Sequence, residues 1–244
     1  MPEGISFECK LFLDPKQVLL GGDGQLLPKV AGLSFELKDK MQIHLMDTPK
    51  LELYETGWIV RSRFKEEKWE LTYKRRIRDY QSLDRAMKQA VAEGFTPGEY
   101  EAEVEWGYTK QALSLAKDFD IALEDQPEGQ WKQLILDKAP QPFKNSSVFK
   151  SIADTRVTGP IRSEKYNSKW EQEKVHLEVW TIGAERIAEA TMKIKNATDT
   201  EAADKHQQFI TLFKEANLLL EQDISKTKWA LEKLMKAHTP QTTH

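Results

Sequence analysis

The sequence predicts an α+β protein built on antiparallel strands that carry charge on one face, with helices flanking the other. Three observations predict it. Apolar and polar residues alternate over 5–13, 57–65, 68–76, 99–106, 173–182 and 185–195, the two-residue period of half-buried strands. Turn residues join two pairs of these runs, Glu66-Glu67 in one and Gly183-Ala184 in the other, so each pair reads as a hairpin. Near the C-terminus the apolar spacing turns helical, through Phe209, Leu212, Phe213, Ala216, Leu219 and Leu220.

Taken in order, 5–13 is a first strand, followed by a turn at Gly21-Gly22-Asp23-Gly24. Residues 30–39 fit a short helix or a strand equally. A strand over 41–46 ends at Asp47-Thr48-Pro49, and the 57–65 and 68–76 hairpin follows. A helix over 81–93 stops at Gly94. Next come a strand over 99–106 and helices over 109–118 and 131–138. Residues 151–166 hold one long strand or two short ones, kinked at Gly159-Pro160, before the second hairpin. With no evident linker, the expectation is one domain over 1–244. It carries a helical insertion at about 109–150 and a C-terminal helix at about 200–237.

Composition bounds the function. The 244 residues are 39% hydrophobic and 31% charged, enough for a buried core beneath a charged surface or interior. Lys and Arg number 36 against 39 Asp and Glu, so the net charge of −3 gives no sign of nucleic-acid binding. Cys9 is the one cysteine, which excludes an internal disulfide and fits a cytoplasmic protein. No apolar run is long enough for a signal peptide or a membrane span. An exposed aromatic on the C-terminal helix would mark a homodimer surface.

The charged faces carry the functional signal. Glu8 and Lys10 share a face opposite Phe7, Cys9 and Leu11. Arg61 and Arg63 share one, as do Thr72, Lys74 and Arg76. Glu99, Glu101, Glu103 and Glu105 form a run of acids, and His176 and Glu178 oppose Val175, Leu177 and Val179. Glu189, Thr191, Lys193 and Lys195 share the last such face. A sheet with one wet face explains each strand singly. It does not explain why basic residues collect on Arg61 to Arg76 and acids on Glu99 to Glu105, since like charges on one face repel. Arg and Lys clusters suit phosphate oxygens, and carboxylate clusters suit a hard cation such as Mg²⁺ or Mn²⁺. Together they suit a metal–polyphosphate complex, whose chemistry needs positioning and charge neutralisation more than a nucleophilic side chain. In this register Cys9 is a buried thiol and not a nucleophile.

These residues resemble the CYTH-domain family, the triphosphate tunnel metalloenzymes. Glu8-Cys9-Lys10 resembles the end of an E-x-E-x-K opening. Asp47-Thr48-Pro49, Gly57 to Arg63 and Leu71 to Lys74 follow in the family's order, and Val175 to Trp180 and Ala188 to Lys195 resemble its closing strands. The resemblance implies an antiparallel eight-stranded β-tunnel (a barrel) with flanking helices. It implies hydrolysis of inorganic tripolyphosphate, thiamine triphosphate or a nucleoside or RNA 5′-triphosphate, or the class IV cyclisation of ATP, with Mg²⁺ or Mn²⁺. Carried over by position, Glu8, Lys10 and Glu103 are catalytic. Lys10, Arg61, Arg63, Lys74, Arg76, Arg162 and Lys165 hold the small-molecule triphosphate, and Glu8, Glu103, Glu178 and Glu189 hold the metal. Glu101 and Glu105 are further acids of the same run. Two positions depart from the pattern: Ser6 stands where the first acid of E-x-E-x-K belongs, and Thr191 where the closing strand's second acid belongs. They raise the alternative of a polyphosphate-binding protein with weakened catalysis.

Overall fold

The computed structural model describes residues 5–21, 24–78, 82–96, 98–122, 131–195 and 197–237. In chain order the strands are β1 (Ser6–Leu13), β2 (Lys29–Val30), β3 (Leu33–Ser34), β4 (Glu36–Asp47), β5 (Trp58–Lys65), β6 (Lys68–Arg78), β7 (Glu101–Trp106), β8 (Gln111–Ile121), β9 (Arg156–Trp170), β10 (Glu173–Ile182) and β11 (Glu185–Ile194). The helices are α1 (Pro15–Val18), α2 (Glu52–Glu55), α3 (Leu83–Ala92), α4 (Trp131–Lys138), α5 (Gln141–Lys144), α6 (Asp199–Glu215) and α7 (Lys226–Ala237). Among the described residues no helix is long and apolar enough to cross a membrane.

Nine strands form one closed barrel, in the hydrogen-bonded order β1-β11-β10-β9-β4-β5-β6-β8-β7. This corrects the expectation of eight antiparallel strands in two respects. One pair is parallel, β1 with β7, in the register Ser6 to Glu103 and Glu8 to Glu105. The added strand is β8, which replaces the helix expected over 109–118. Ala112, Leu113, Leu115 and Ala116 fit a helical stripe, but Leu113 and Leu115 also fit a period of two, and both are buried. Short apolar runs do not separate the two elements by pattern alone, and closing a barrel removes an exposed edge.

Two other elements differ. The single C-terminal helix is two helices, α6 and α7. Asn217 takes a left-handed backbone, φ +55°, and Leu219 then bridges to Leu13 at the end of β1. Pairing with a strand thus interrupts a sequence that is helical in pattern. The 151–166 region is a 3-10 turn over Ser147–Asp154 followed by the single strand β9. Residues 30–39, open between helix and strand in the sequence, are strand through most of their length, with a turn at Ala31 and Gly32.

The chain divides into two compact units. The first is Met1–Lys40, Ala102–Ser114 and Arg162–Ile224; the second is Met41–Glu101, Leu115–Ile161 and Ser225–His244. In the first, Phe7, Cys9 and Leu11 of β1 are buried, as are Val175, Leu177 and Val179 of β10 and Ala188, Ala190 and Met192 of β11. Helix α6 packs on β1 and buries Phe209 and Phe213. A capping box starts it, with the Thr198 hydroxyl accepting from the Glu201 amide and the Glu201 carboxylate accepting from the Thr198 amide. In the second unit, β5 and β6 form a hairpin whose Trp58 and Tyr73 meet Phe143, at centroid separations of 4.9 and 5.5 Å. Its turn residues, Glu66 and Glu67, both have positive φ, the hand that matches the twist of paired strands.

Candidate functional site

Strand pairing assembles charge in the first unit. Parallel pairing sets Glu103 beside Ser6 and Glu105 beside Glu8, and antiparallel pairing sets Lys193 of β11 beside Glu8 on the other side. Neighbouring strands lie about 4.8 Å apart, so these side chains share one face at contact range. The ligand oxygens of Glu8, Glu103 and Glu105 all lie within 4.8 Å of one another. Glu103 and Glu105 are buried, at 8% and 6% exposure.

Three carboxylates at that spacing need counter-charge, and two lysines provide it. The Lys10 ammonium lies 2.8 Å from Glu8 Oε2 and donates to Glu105 Oε1 at 2.8 Å. Lys193 Nζ is 2.5 Å from Glu103 Oε1. Side chains carry this neutralisation, so another cation can take it over without any change in the backbone. The donor set is all oxygen, buried and anionic, which fits a hard divalent cation. Glu8, Glu103 and Glu105 are the residues that would hold it.

In this geometry Ser6 has an acid beside it. The acid missing from β1 has a neighbour one strand away, because β7 runs alongside in register and presents Glu103 at that level. Strand alternation places Glu103 in the sequence, but the parallel β1–β7 pairing that gives it this role is a tertiary feature. Glu105, in the sequence only a further acid of the run, is the direct partner of Lys10. Lys193 has no role in the sequence reading.

Glu178 and Glu189 stand elsewhere on the same sheet. They face each other across β10 and β11, and Lys165 of β9 is paired with Glu178. Glu189 is buried. It lies four positions from Lys193 along β11, about 13 Å. Glu178 Oε1 accepts from Ser163 Oγ at 2.7 Å and from Trp180 Nε1 at 2.8 Å. Lys165 shares the face of Glu178, whereas Arg162 is exposed and falls on the opposite face by alternation. Thr191 lies between Lys10 and His176 in the register.

In the second unit, Arg61, Arg63, Lys74 and Arg76 come to one face of the β5–β6 hairpin. Arg61 is paired with Thr72 and donates to its hydroxyl at 3.3 Å. Arg63 is paired with Glu70 and contacts Oε1 at 2.9 Å. Glu70 modifies the expected all-basic face. It lies two residues before Thr72, so alternation alone puts it there.

Two conspicuous residues prove structural. Asp47 is buried at 1% exposure, and its carboxylate accepts from the amides of Thr48, Leu53 and Tyr54 at 2.7, 2.9 and 2.9 Å. It holds the turn into α2. Burial pushes its carboxyl up to about 6, against the pull of those three amides. The Cys9 thiol is buried and pushed up to about 12, chiefly by desolvation and then by the charge of Glu8, so it is inert at neutral pH.

A solved structure shares this fold. The chain matches the Hippeastrum protein HpAC1, a candidate adenylyl cyclase with a dominant triphosphatase activity, at a TM-score of 0.52 and 16% identity, over 97% of this chain and 99% of that one. A candidate adenylate cyclase from Bacillus halodurans gives 0.49 at 14% identity, over 94% and 98%. PH1819 from Pyrococcus horikoshii gives 0.48 at 11%, over 93% and 99%. No protein-family profile and no curated protein matches the sequence. The chain thus shares the fold of the Hippeastrum protein.

Proposed function

We propose that this protein is a metal-dependent hydrolase of a small-molecule triphosphate, working in the cytoplasm. The observation that carries the reading is the Glu8–Glu103–Glu105 group, three carboxylates within 4.8 Å, two of them buried, with Lys10 between two of them. Mg²⁺ or Mn²⁺ held there would neutralise phosphate charge. Lys10 then turns its ammonium from Glu8 and Glu105 to a phosphate oxygen. A carboxylate of the group, Glu103 or Glu105, orients the attacking water and accepts its proton as the P–O bond between the terminal phosphate and the leaving diphosphate portion of the substrate breaks. Lys165 on β9, and Arg61, Arg63, Lys74 and Arg76 on the β5–β6 hairpin, are the proposed phosphate-binding cations. Lys165 is preferred to Arg162 because it shares the face of Glu178.

The fold-sharing Hippeastrum protein carries a dominant triphosphatase activity, in agreement with this reading. Cyclisation of ATP demands a ribose 3′-oxygen in line with the α-phosphate, and no observation here selects a nucleobase. The test is phosphate release from tripolyphosphate, thiamine triphosphate and ATP with Mg²⁺ or Mn²⁺, with cAMP followed in the ATP reaction. Release from at least one substrate, abolished by chelator, is expected. No release from any of the three overturns hydrolysis, and cAMP as the main product of ATP replaces it with cyclisation.

A further inference from the structure

The first unit carries a second charged feature, on the same sheet as the acid group but two strands away. A cavity of about 480 Å³ is lined by Lys38 of β4, Asn167 and Lys169 of β9, Lys174 and His176 of β10, and Glu36. Three lysines stand against one glutamate. Lys169 and Lys174 are directly opposite each other in the β9–β10 register. Like charges in that position repel and weaken a strand pair unless something answers them. Among the described residues none of the three lysines makes a salt bridge. The cavity is large enough for a small-molecule group.

His176 lines the cavity beside the lysines. Its Nδ1 lies 2.6 Å from Asn167 Oδ1. The imidazole is thus a hydrogen-bonding group inside a positive rim. An anion with several oxygens suits such a rim, because ammonium groups bind phosphate through charge-assisted hydrogen bonds.

The register also fixes where this cavity lies relative to Lys10. Lys10, Thr191, His176 and Asn167 form one row across β1, β11, β10 and β9. His176 is two strand spacings from Lys10, about 10 Å. Of the two, Lys10 is not among the residues that line the cavity. The row between them carries Thr191, a small neutral residue, where the family pattern has an acid.

We propose that the cavity is a second anion subsite, which takes a further phosphate group of the same substrate and so selects phosphoanhydride chains longer than three phosphates. Thr191 is part of the device, since an acid at that position would repel a chain running from Lys10 to His176. The inference rests on the triphosphate reading of the acid group and goes beyond it in substrate class.

Calorimetry with chelator present, which removes turnover, tests it on the full chain. The titrants are tripolyphosphate, a linear polyphosphate of defined longer chain and orthophosphate. The longer chain is expected to bind at least about tenfold more tightly than tripolyphosphate, the equivalent of one charge-assisted hydrogen bond. In the double variant K169A/K174A that ratio falls to near one. In K144A/K150A, which removes two exposed lysines of the second unit, it stays as in the wild type. Equal affinities in the wild type, or a ratio that falls as far in K144A/K150A, overturn the proposal. Orthophosphate binding that is lost in K169A/K174A, with no preference for chain length, assigns the cavity to free phosphate and overturns the longer-chain substrate. Hydrolysis of tripolyphosphate without chain-length preference leaves the function standing and removes this inference alone, whereas no binding and no hydrolysis of any chain removes both.

Discussion

Asp47 and the Glu8–Glu103–Glu105 group both bury carboxylates, and they satisfy them in opposite ways. Asp47 is held by three backbone amides from its own turn. Those donors belong to the chain, so they leave only if the turn unfolds. The acid group is held by Lys10 and Lys193, whose long stems let the charges move while the strands stay in place. A buried carboxylate answered by backbone is part of the fold. One answered by lysines can be handed to another cation. The difference separates architecture from chemistry among acids that are otherwise alike in burial.

The largest effect is expected from removing the acids of the group. The double variant E103Q/E105Q is expected to lose about a hundredfold or more in the turnover of tripolyphosphate, the usual scale for a general base. Its melting temperature should stay close to that of the wild type, because the amides keep the shape. Chelation of metal should abolish the same activity in the wild type. Retained turnover in the variant would mean that the acid group is structural after all, like Asp47.

Asp47→Ala should do the reverse. Three buried amides lose their acceptor, which costs about 3 kcal/mol or more, read as a shift in the denaturant midpoint. Activity per folded molecule should survive. An inactive protein of unchanged stability would give Asp47 a part in the site.

Next in size is the hairpin. Arg63→Ala is expected to raise KM for tripolyphosphate about tenfold, the loss of one charge-assisted contact. Glu70→Gln should act in the other direction and lower KM, because it releases the Arg63 guanidinium that the Glu70 carboxylate holds. If both variants raise KM, Glu70 positions Arg63 and does not oppose it.

The comparison also shows what was legible in the sequence. Alternation exposes the faces of β1, β5, β6, β10 and β11, so Glu8, Lys10, Arg61 and Arg63 stand where the pattern puts them. Glu70 obeys the same alternation and was legible in principle. Other features depend on contacts between distant segments. The parallel pairing of β1 with β7 turns Glu103 and Glu105 from two members of an acidic run into partners of Glu8, and it sets Glu103 beside Ser6. No local pattern encodes that pairing. Residues 109–118 fail for a related reason: their apolar spacing satisfies two periods, and the neighbouring strands decide between them. Asp47 belongs to a motif that resembles a site, yet its amides come from residues up to seven positions later, visible only once the turn is built.

The smallest expected effect concerns the titration of Asp47. Its folded pKa of about 6 is raised from 3.8, since burial outweighs the amides. The folded state therefore binds the proton more tightly than the unfolded state between these values. Where the folded state holds more protons, stability falls as pH rises. The Asp47 contribution is thus complete below about pH 4 and is lost as pH climbs through about 6. Other carboxylates run the opposite way: Glu93 is lowered by the Arg75 guanidinium despite burial, and Asp223 by Thr109 and neighbouring amides. The raw pH profile mixes these signs, so the readout is a difference. Asp47→Asn keeps an oxygen acceptor and removes the titration. Subtracting its unfolding free energy from that of the wild type at each pH should leave a curve that declines between pH 4 and 6 and is flat above. A difference that rises over that window would mean that the amides outweigh burial. Asp47 would then be a charge the fold depends on, and the contrast with the lysine-held group would rest on its partners alone.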